Sequence, residues 1–511
     1  MFTQRFLVPA ALLGAALSGC ASLPADSGRG DVAALLQARG QTTNPADAET
    51  ARQLLAQLGD RPLGAGDAVR LALVNNPRLK SDYAQLGFAA AEVYDAGRLS
   101  NPSLSASILF PDVSGDANQV GFGLVQSFTD LLLLPARSRF AQGEFERVQQ
   151  EVGAQALDLA ADVESAHTRL AGGWQVLTMR ETVHKAAQAS ADLAQRFFDA
   201  GNINRLELAM EQAAASQAWL DLTQAQAEVT LLRGELNRLM GLAATEDRWK
   251  IAGGLAAPLA EEDALPQLLK AADASRLDLV AARKNVTLLA DALGVTRRFR
   301  YIGAIDVGAV TERETDRSRI TGPTLSLTLP LFNQGKGKVA RSEAQLALAE
   351  AELRELEIAI SNGVRRAVAE VAVAKQRAEH YRNSLIPLRE AIVARTQEEV
   401  NYMLVGQFEL LRVKQQEYDA YQGYLEAVRD YWLARVELAR EVGAPLPSSA
   451  QTGEAVLDAE TLAAPKGGMG QMHHGGMPMD GMEGMDMPMD DSKPGQSTNK
   501  KAAEPQHGDH P

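Results

Sequence analysis

NPSLSASILF at residues 101–110 and QVGFGLVQSF at residues 119–128 decide the fold. In the first, Leu104, Ala106, Ile108 and Phe110 fall on one side of an extended chain, and Ser103, Ser105 and Ser107 on the other. In the second, Val120, Phe122 and Leu124 oppose Gly121, Gly123 and Ser127, and Pro111 to Asn118 supply a polar turn between the two. The pattern returns later. Over about residues 301–310, Gly303, Ile305, Val307 and Ala309 oppose Asp306 and Gly308; over about 322–331, Leu325, Leu327, Leu329 and Leu331 oppose Thr324, Ser326 and Thr328. Each segment approaches the about 9 to 11 residues with which a tilted strand crosses a bilayer. Apolar outside and small or polar inside is the pattern of a barrel wall between lipid and water.

Four strands do not close a barrel, since the smallest transmembrane barrels use about 8 and an open edge in lipid leaves backbone groups unpaired. The chain is therefore expected to assemble with copies of itself. A dimer gives eight strands and a trimer twelve, and only the wider barrel keeps an aqueous lumen. The alternative is a pair of solvent-exposed hairpins on a soluble helical body.

Outward from the strands, the chain is written twice, with a period of about 200 residues. Each half reads helix, two strands, long helix, turn, long helix. Ala200-Gly201-Asn202 aligns with Val405-Gly406-Gln407, and the helices that follow end alike at Leu239-Met240-Gly241 and Glu441-Val442-Gly443. Upstream, Asn76-Pro77 opens the first half and Ser275-Arg276 the second. The long helices carry apolar residues three and four apart, as in Val152, Ala156, Leu159, Val163, Ala166 and Leu170. The last one has two apolar flanks, one through Val413, Ala420, Tyr424, Ala427 and Tyr431, the other through Leu411, Tyr418, Tyr421, Leu425 and Val428. Two flanks require two helical neighbours. Gly201 and Gly406 are expected at tight turns, and Pro387 is expected to interrupt the last ascending helix.

The N-terminus points to export. Arg5, an apolar stretch from Phe6 to Leu17, and Leu17-Ser18-Gly19-Cys20 form a lipobox, with cleavage expected before Cys20 and acylation of that residue. Cys20 is the single cysteine, so packing rather than an intramolecular disulfide must hold an exported chain of 511 residues. Hydrophobic residues at 46% with only 5% aromatics fit long packed helices, and a net charge of -14 argues against nucleic acid as a partner. No apolar run after the signal reaches the roughly 18 residues of a spanning helix.

Over roughly residues 63–443 the chain resembles the TolC-type outer-membrane factor family. The resemblance lies in the half-repeats, in Leu329-Pro330-Leu331-Phe332-Asn333 with Gly335, and in the two tip turns. It implies a mainly α fold with a transmembrane β-barrel: a homotrimer, a twelve-stranded barrel, and a periplasmic tunnel of long helical hairpins. It further implies docking of the tips, here Gly201, Asn202, Gly406 and Gln407, to a periplasmic adaptor joined to an inner-membrane pump. Ile386-Pro387 with Tyr402, Gly406 and Leu410-Leu411 is similar to members serving heavy-metal pumps. Where some relatives carry an acidic ring that narrows the tunnel, this chain reads Glu409, Arg412, Lys414 and Gln415, so Glu409 and Arg412 are the candidate constriction.

Beyond Pro447 the periodicity stops. Met469, Met472, Met477, Met479, Met482, Met485, Met487 and Met489, with His473 and His474, stand among Gly, Pro and Asp with no spacing that would bury them. Thioether sulfur is a soft donor that keeps its lone pairs at any pH, so the cluster suits Cu(I) or Ag(I), bound without being a required cofactor. The alternative is a linker of biased composition. His167, His184 and His380 lie singly on helices and read as structural. No phosphate-loop, metalloprotease or serine-hydrolase signature is present, and the chain is not expected to be an enzyme.

The organisation is thus a signal peptide at 1–19, a lipid-anchored linker at 20–62, repeats at 63–241 and 266–443 around a connector at 242–265, and a tail at 444–511. The expected protein is a passive efflux duct of the outer membrane, with helices and tail in the periplasm and copper or silver as the favoured cargo. The rivals are a duct for organic compounds whose tail buffers metal, and a metal-binding scaffold lipoprotein without a pore. Cys20→Ser is expected to abolish acylation while the strands still insert. Intact-mass measurement of the mature protein checks this, and a native chain that starts elsewhere without an acyl group would refute it.

Overall fold

The periodicities above become ten α-helices of nine or more residues and four strands among the residues described by the computed structural model, which are 26–41, 53–56, 62–112, 116–243, 249–251 and 254–450. In chain order these are α1 (Arg29–Gln37), α2 (Ala65–Asn75), α3 (Pro77–Ala96), β1 (Ser103–Leu109), β2 (Gln119–Ser127), α4 (Phe128–Asp199), α5 (Arg205–Met240), α6 (Leu265–Ser275), α7 (Leu277–Phe299), β3 (Ile305–Arg313), β4 (Arg319–Leu327), α8 (Lys336–His380), α9 (Ile386–Asn401) and α10 (Gln407–Val442). None of the helices among the described residues is long and apolar enough to cross a membrane.

The duplication is more regular than the sequence comparison suggested. Each half has two short helices, not one, before its strands. α2 and α6 are both 11 residues long, and α5 and α10 are both 36, each ended by a left-handed glycine, Gly241 at φ 70° and Gly443 at φ 72°. Arg205 therefore aligns with Gln407 and Met240 with Val442. The pairing of Gly201 with Gly406 is out of register by three residues, because glycine identity was matched instead of backbone conformation. Gly201, at φ +77°, corresponds to Met403, at φ 59°, while Gly406 is the extended residue preceding α10, at φ −80°. Both tips use the same closure. Asn202 N donates to Phe197 O and Gly201 N to Phe198 O; Leu404 N donates to Glu399 O and Met403 N to Val400 O.

Where the halves turn back, one corner is built twice with different chemistry. The last carbonyls of a long helix have no partner in that helix and must find one outside it. In the first half Asn76 Nδ2 donates to Leu239 O at 2.7 Å, and Asn75 Nδ2 donates to Gly241 O at 2.8 Å. The Asn76 side-chain oxygen also accepts from Arg78 N and Leu79 N, which starts α3 behind Pro77. In the second half Arg276 donates through one guanidinium nitrogen to Glu441 O at 3.0 Å and through another to Asp278 at 2.6 Å. A cation there also favours the negative end of α10.

Both flanks of α10 are filled, as two apolar stripes demand. Val413, Ala420, Tyr424, Ala427 and Tyr431 are buried on one flank, and Tyr421, Leu425 and Val428 on the other. The neighbours are α8 and α9 on one side and α4 on the other. On α4, Val152, Ala156, Val163, Ala166 and Leu170 are buried against α2, α3 and α5. The ascending arm of the second hairpin changes pitch at a π turn, Tyr381–Leu385, just before Pro387. Proline has no N–H and its ring crowds the carbonyl four residues back, and the wider turn relieves both. Opposite it, Gly423 is a notch for the Tyr381 ring, since a Cβ there would lie 2.7 Å from ring atoms.

Two expectations change. The segment read as an anchored linker, 20–62, contains α1, whose Val32 and Leu36 are buried in the core. Arg39, just beyond α1, donates to Ser275 O at 2.7 Å, and Gly40 lies against Pro445. In the second half the strands run 305–313 and 319–327, not about 301–310 and 322–331. Gly303 is excluded because the chain there passes so close to β4 that a Cβ would lie 1.7 Å from Thr328 O. Leu329 and Leu331 follow the sheet, where Pro330 cannot donate to a ladder.

His167 is buried, its Nε2 at 3.1 Å from Leu63 O, and burial holds its imidazole below the usual value despite that contact. It binds a proton more readily unfolded than folded, so its contribution to stability is present above about pH 6.5 and lost on acidification. Asn76→Ala removes a helix cap and a partner for Leu239 O, and is expected to cost about 1 to 3 kcal/mol. Arg70→Ala, at an exposed ion pair with Asp67, is expected to stay within about 0.5 kcal/mol. Denaturant melts of the purified protein compare the two.

Candidate functional site: the two-faced sheet and the paired tips

The four strands form one antiparallel sheet in the order β1-β2-β3-β4. Pairing fixes the faces. Leu104 opposes Leu124, Ala106 opposes Phe122, and Ile108 opposes Val120. Leu124 opposes Ala309, and Val307 opposes Leu325, with Ile305 opposite Leu327. All of these side chains share one face, because paired residues point the same way and alternate residues return to it. That face is bare in the single chain: Leu104 is 75% exposed, Phe122 51% and Leu325 65%. The expected alternation therefore holds across every strand boundary.

The other face carries Ser103, Ser105 and Ser107 opposite Val125, Gly123 and Gly121, then Gly308 opposite Thr324 and Asp306 opposite Ser326. The small residues are tightly matched. A Cβ on Gly121 would meet Ser107 Oγ at 2.7 Å, and one on Gly123 would meet Ser105 Oγ at 2.6 Å. Ser105 donates to Gly123 O at 3.3 Å, and Gln119 Nε2 to Glu312 at 3.4 Å. The apolar band crosses the pairing rows obliquely. In the row Ile108, Val120, Arg313, Arg319 it has already ended on β3 and β4. Tilted strands in a membrane wall require such an offset.

The sheet is joined directly to the helices. β2 runs into α4 without a loop, and Thr129 Oγ1 accepts from Ile305 N at 2.7 Å, fixing β3 to the start of α4. The outer sides of β1 and β4 have no strand partner among the described residues.

At the far end of the hairpins the two tips touch through Phe197 and Phe408, whose rings meet edge to face at 6.2 Å. Gly201 and Asn202 form the first turn, and Asn204 caps α5 in a reciprocal pair with Glu207. Gly406 and Gln407 mark the start of α10, and the second turn itself presents Tyr402, Met403 and Leu404, all strongly exposed. A groove of about 690 Å³ runs between the hairpins behind the tips, lined by Met210, Asp221, Phe408 and Tyr418 among others. Glu409 and Arg412 also border it. They pair with each other one helical turn apart, and Arg412 holds the Glu409 carboxyl below its usual range. This pair is neutral as a unit and does not supply the net charge of a ring.

A cross-brace behind the tips was not legible in the sequence. The Tyr421 hydroxyl on α10 lies between two carboxylates, donating its one proton to Glu390 on α9 at 2.7 Å with Glu417 beside it at 3.1 Å, and Lys414 pairs with Glu417. Burial, reinforced by the Glu390 contact, pushes the Tyr421 hydroxyl far above its ordinary value, so it keeps its proton. Tyr421 appeared only as one residue of an apolar flank, and spacing cannot distinguish a buried tyrosine that braces from one that fills.

Cys20, where acylation is expected, and the expected soft donors Met469, Met472, His473, His474, Met477, Met479, Met482, Met485, Met487 and Met489 lie outside the described residues. Among the described residues no group of three or more His, Cys, Asp or Glu is placed to hold a metal.

No protein-family model matches this chain, and no curated protein matches it by sequence. Its fold does match solved structures. The CmeC outer membrane channel of Campylobacter jejuni superposes with a TM-score of 0.63 at 15% identity, over 76% of this chain and 87% of CmeC. CusC, in a structure concerned with folding and transmembrane channel formation, gives 0.62 at 14% identity, over 74% of this chain and 92% of CusC. The outer membrane protein VceC of Vibrio cholerae gives 0.61 at 16% identity, over 75% and 96%.

The two faces make opposite demands on substitution. Leu325→Arg places a charge on the apolar face and is expected to cost about 2 to 4 kcal/mol near a bilayer midplane. Ser326→Arg, one residue on and facing the other way, is expected to assemble nearly as well as the native chain and to change ion conductance. Equal assembly defects, read by native gel electrophoresis after membrane extraction, would contradict the assigned faces.

Proposed function

We propose that this chain, which has the fold of the TolC-type outer-membrane channels, is one protomer of a passive trimeric duct that carries efflux cargo across the periplasm and outer membrane. The observation that carries the reading is the sheet: an apolar face bare in the single chain, a small polar face behind it, and two unpaired edges. Joining β4 of one copy to β1 of the next satisfies both edges, and three copies make twelve strands around a lumen.

The helices support the same assembly. α5 exposes Trp219, Leu220 and Leu231, and α8 exposes Leu348, Ile358 and Val373, on the two outer hairpins of the protomer. Apolar rows of this kind suit helix neighbours in adjacent copies. The duct performs no chemistry. Energy comes from a partner pump in the inner membrane, and a periplasmic adaptor docks on the exposed second turn, Tyr402 to Leu404, and on the neighbouring Gly201–Asn202 turn.

For cargo, the favoured ions are Cu(I) and Ag(I), supported by the methionine-rich tail and by the resemblance to members serving heavy-metal pumps. The tail would capture metal near the duct and tune export without creating the pore. Acylation at Cys20 would add a second hold on the membrane beside the barrel.

Purified full-length protein added to planar bilayers is expected to give stepwise conductance, and chemical cross-linking to give a three-chain species. Trp219→Asp is expected to reduce both. Removing residues 466–511 is expected to leave conductance unchanged and to lower Cu(I) and Ag(I) retention while leaving the weaker Zn(II) retention much as it was. A protein without conductance would defeat the duct, and a tail indifferent to Cu(I) and Ag(I) would defeat the cargo assignment.

A further inference from the structure

We infer that Arg313 and Arg319 form a clasp for the phosphate of an anionic lipid at the outer rim of the barrel. The inference rests on the duct reading, which makes the apolar face the lipid side. Along β3 that face reads Ile305, Val307, Ala309, Thr311, Arg313, and along β4, in the same direction, Leu327, Leu325, Pro323, Thr321, Arg319. Both strands thus pass from hydrocarbon through hydroxyl to guanidinium. The two threonines meet at 2.9 Å between their Oγ1 atoms, just before the arginines. From Ile305 to Arg313 is roughly 26 Å along the strand at about 3.3 Å per residue. Strand tilt shortens this to roughly 20 Å along the membrane normal, close to the about 25 Å apolar band of such walls. The arginines therefore stand at the depth of the lipid headgroups.

They are also paired in a way that calls for an anion. Arg313 and Arg319 are directly opposite one another in the register, on the same face, and both are exposed. Like charges directly opposite across a pair of strands repel. Among the described residues neither guanidinium has a carboxylate partner. Glu312 points to the other face, where Gln119 donates to it, and the Asp316 carboxylate of the connecting turn accepts from Ser318 N at 2.8 Å. A phosphate between the two forks would receive charge-assisted hydrogen bonds from both, which fits arginine better than lysine. The β3–β4 turn is the end of the sheet remote from α7 and α8, so in the duct it faces the exterior, and the lipid is one of the outer leaflet. A trimer would carry three such clasps.

The test uses full-length protein purified in an uncharged detergent and exposed to lipid A carrying its two phosphates, to the same lipid without phosphates, or to inorganic phosphate. Retained ligand is read by native mass spectrometry, and flotation with phosphatidylcholine vesicles is run beside it. The native protein is expected to retain the phosphorylated lipid about tenfold better than the dephosphorylated one. Arg313→Gln with Arg319→Gln should lose that preference and still float, while Arg319→Lys should keep part of it. Thr324→Gln, on the lumen face, should change neither reading. A native protein without preference, a double variant that retains the lipid equally, or inorganic phosphate held as tightly as the lipid would each overturn the clasp. Failure of the native protein to float would instead bring down the membrane wall, and the clasp with it.

Discussion

Backbone hydrogen bonding at two strand edges governs the rest of this molecule. Inside the sheet every strand boundary is paired, but the outer sides of β1 and β4 offer donors and acceptors that no strand among the described residues satisfies. In water such edges invite uncontrolled pairing, and in hydrocarbon each unsatisfied group costs several kcal/mol. The apolar face adds the same pressure, since Leu104, Phe122 and Leu325 have no cover within the protomer. In the proposed duct, closure with identical copies would resolve both, and it would set the geometry for everything attached to the strands, beginning with α4, which continues β2 without a break.

The duplicated architecture is a second consequence of local chemistry repeated with variation. Each half ends a 36-residue helix on a left-handed glycine and feeds its terminal carbonyls to the junction between two short helices. One junction uses two amides, Asn75 and Asn76; the other uses the guanidinium of Arg276 and adds ion pairs to Asp278 and Glu441. The requirement is the same and the residues differ, which is how the two halves keep the same order of elements and the same lengths of their matching helices with different side chains.

Much of this was readable beforehand, for identifiable reasons. The strand faces obey a period of two that survives any error of a few residues in the ends, so Leu325 and Leu327 were placed correctly even though β4 proved to begin at Arg319. The two flanks of α10 were visible because buried tyrosines and leucines recur at helical spacing. What failed were features that spacing does not encode. Glycine is the usual left-handed residue, which makes Gly406 the expected turn residue, whereas Met403 occupies that conformation. The cross-brace of Tyr421, Glu390 and Glu417 joins two helices whose axial register cannot be read from either one. Glu409 and Arg412 stand at a spacing that makes helical neighbours, but whether they pair with each other or face a lumen is set by rotamer and packing, and in the structure they neutralise each other. α1 escaped notice because nine residues with two core contacts leave almost no periodic signal.

That small helix bears on the order in which the protein can be made. α1 is among the earliest parts of the chain to be synthesised, yet Arg39 reaches the carbonyl of Ser275 and Gly40 rests against Pro445, near the end of the described structure. Contacts of such separation cannot form until the chain has been made as far as the residues they join, and they are the slow ones to close. Docking of α1 therefore comes in two parts: Val32 and Leu36 pack into the core of the first half, against α4, whereas the contacts of Arg39 and Gly40 wait for the second. Those two contacts act as a latch, set only when the second repeat has come back against the first.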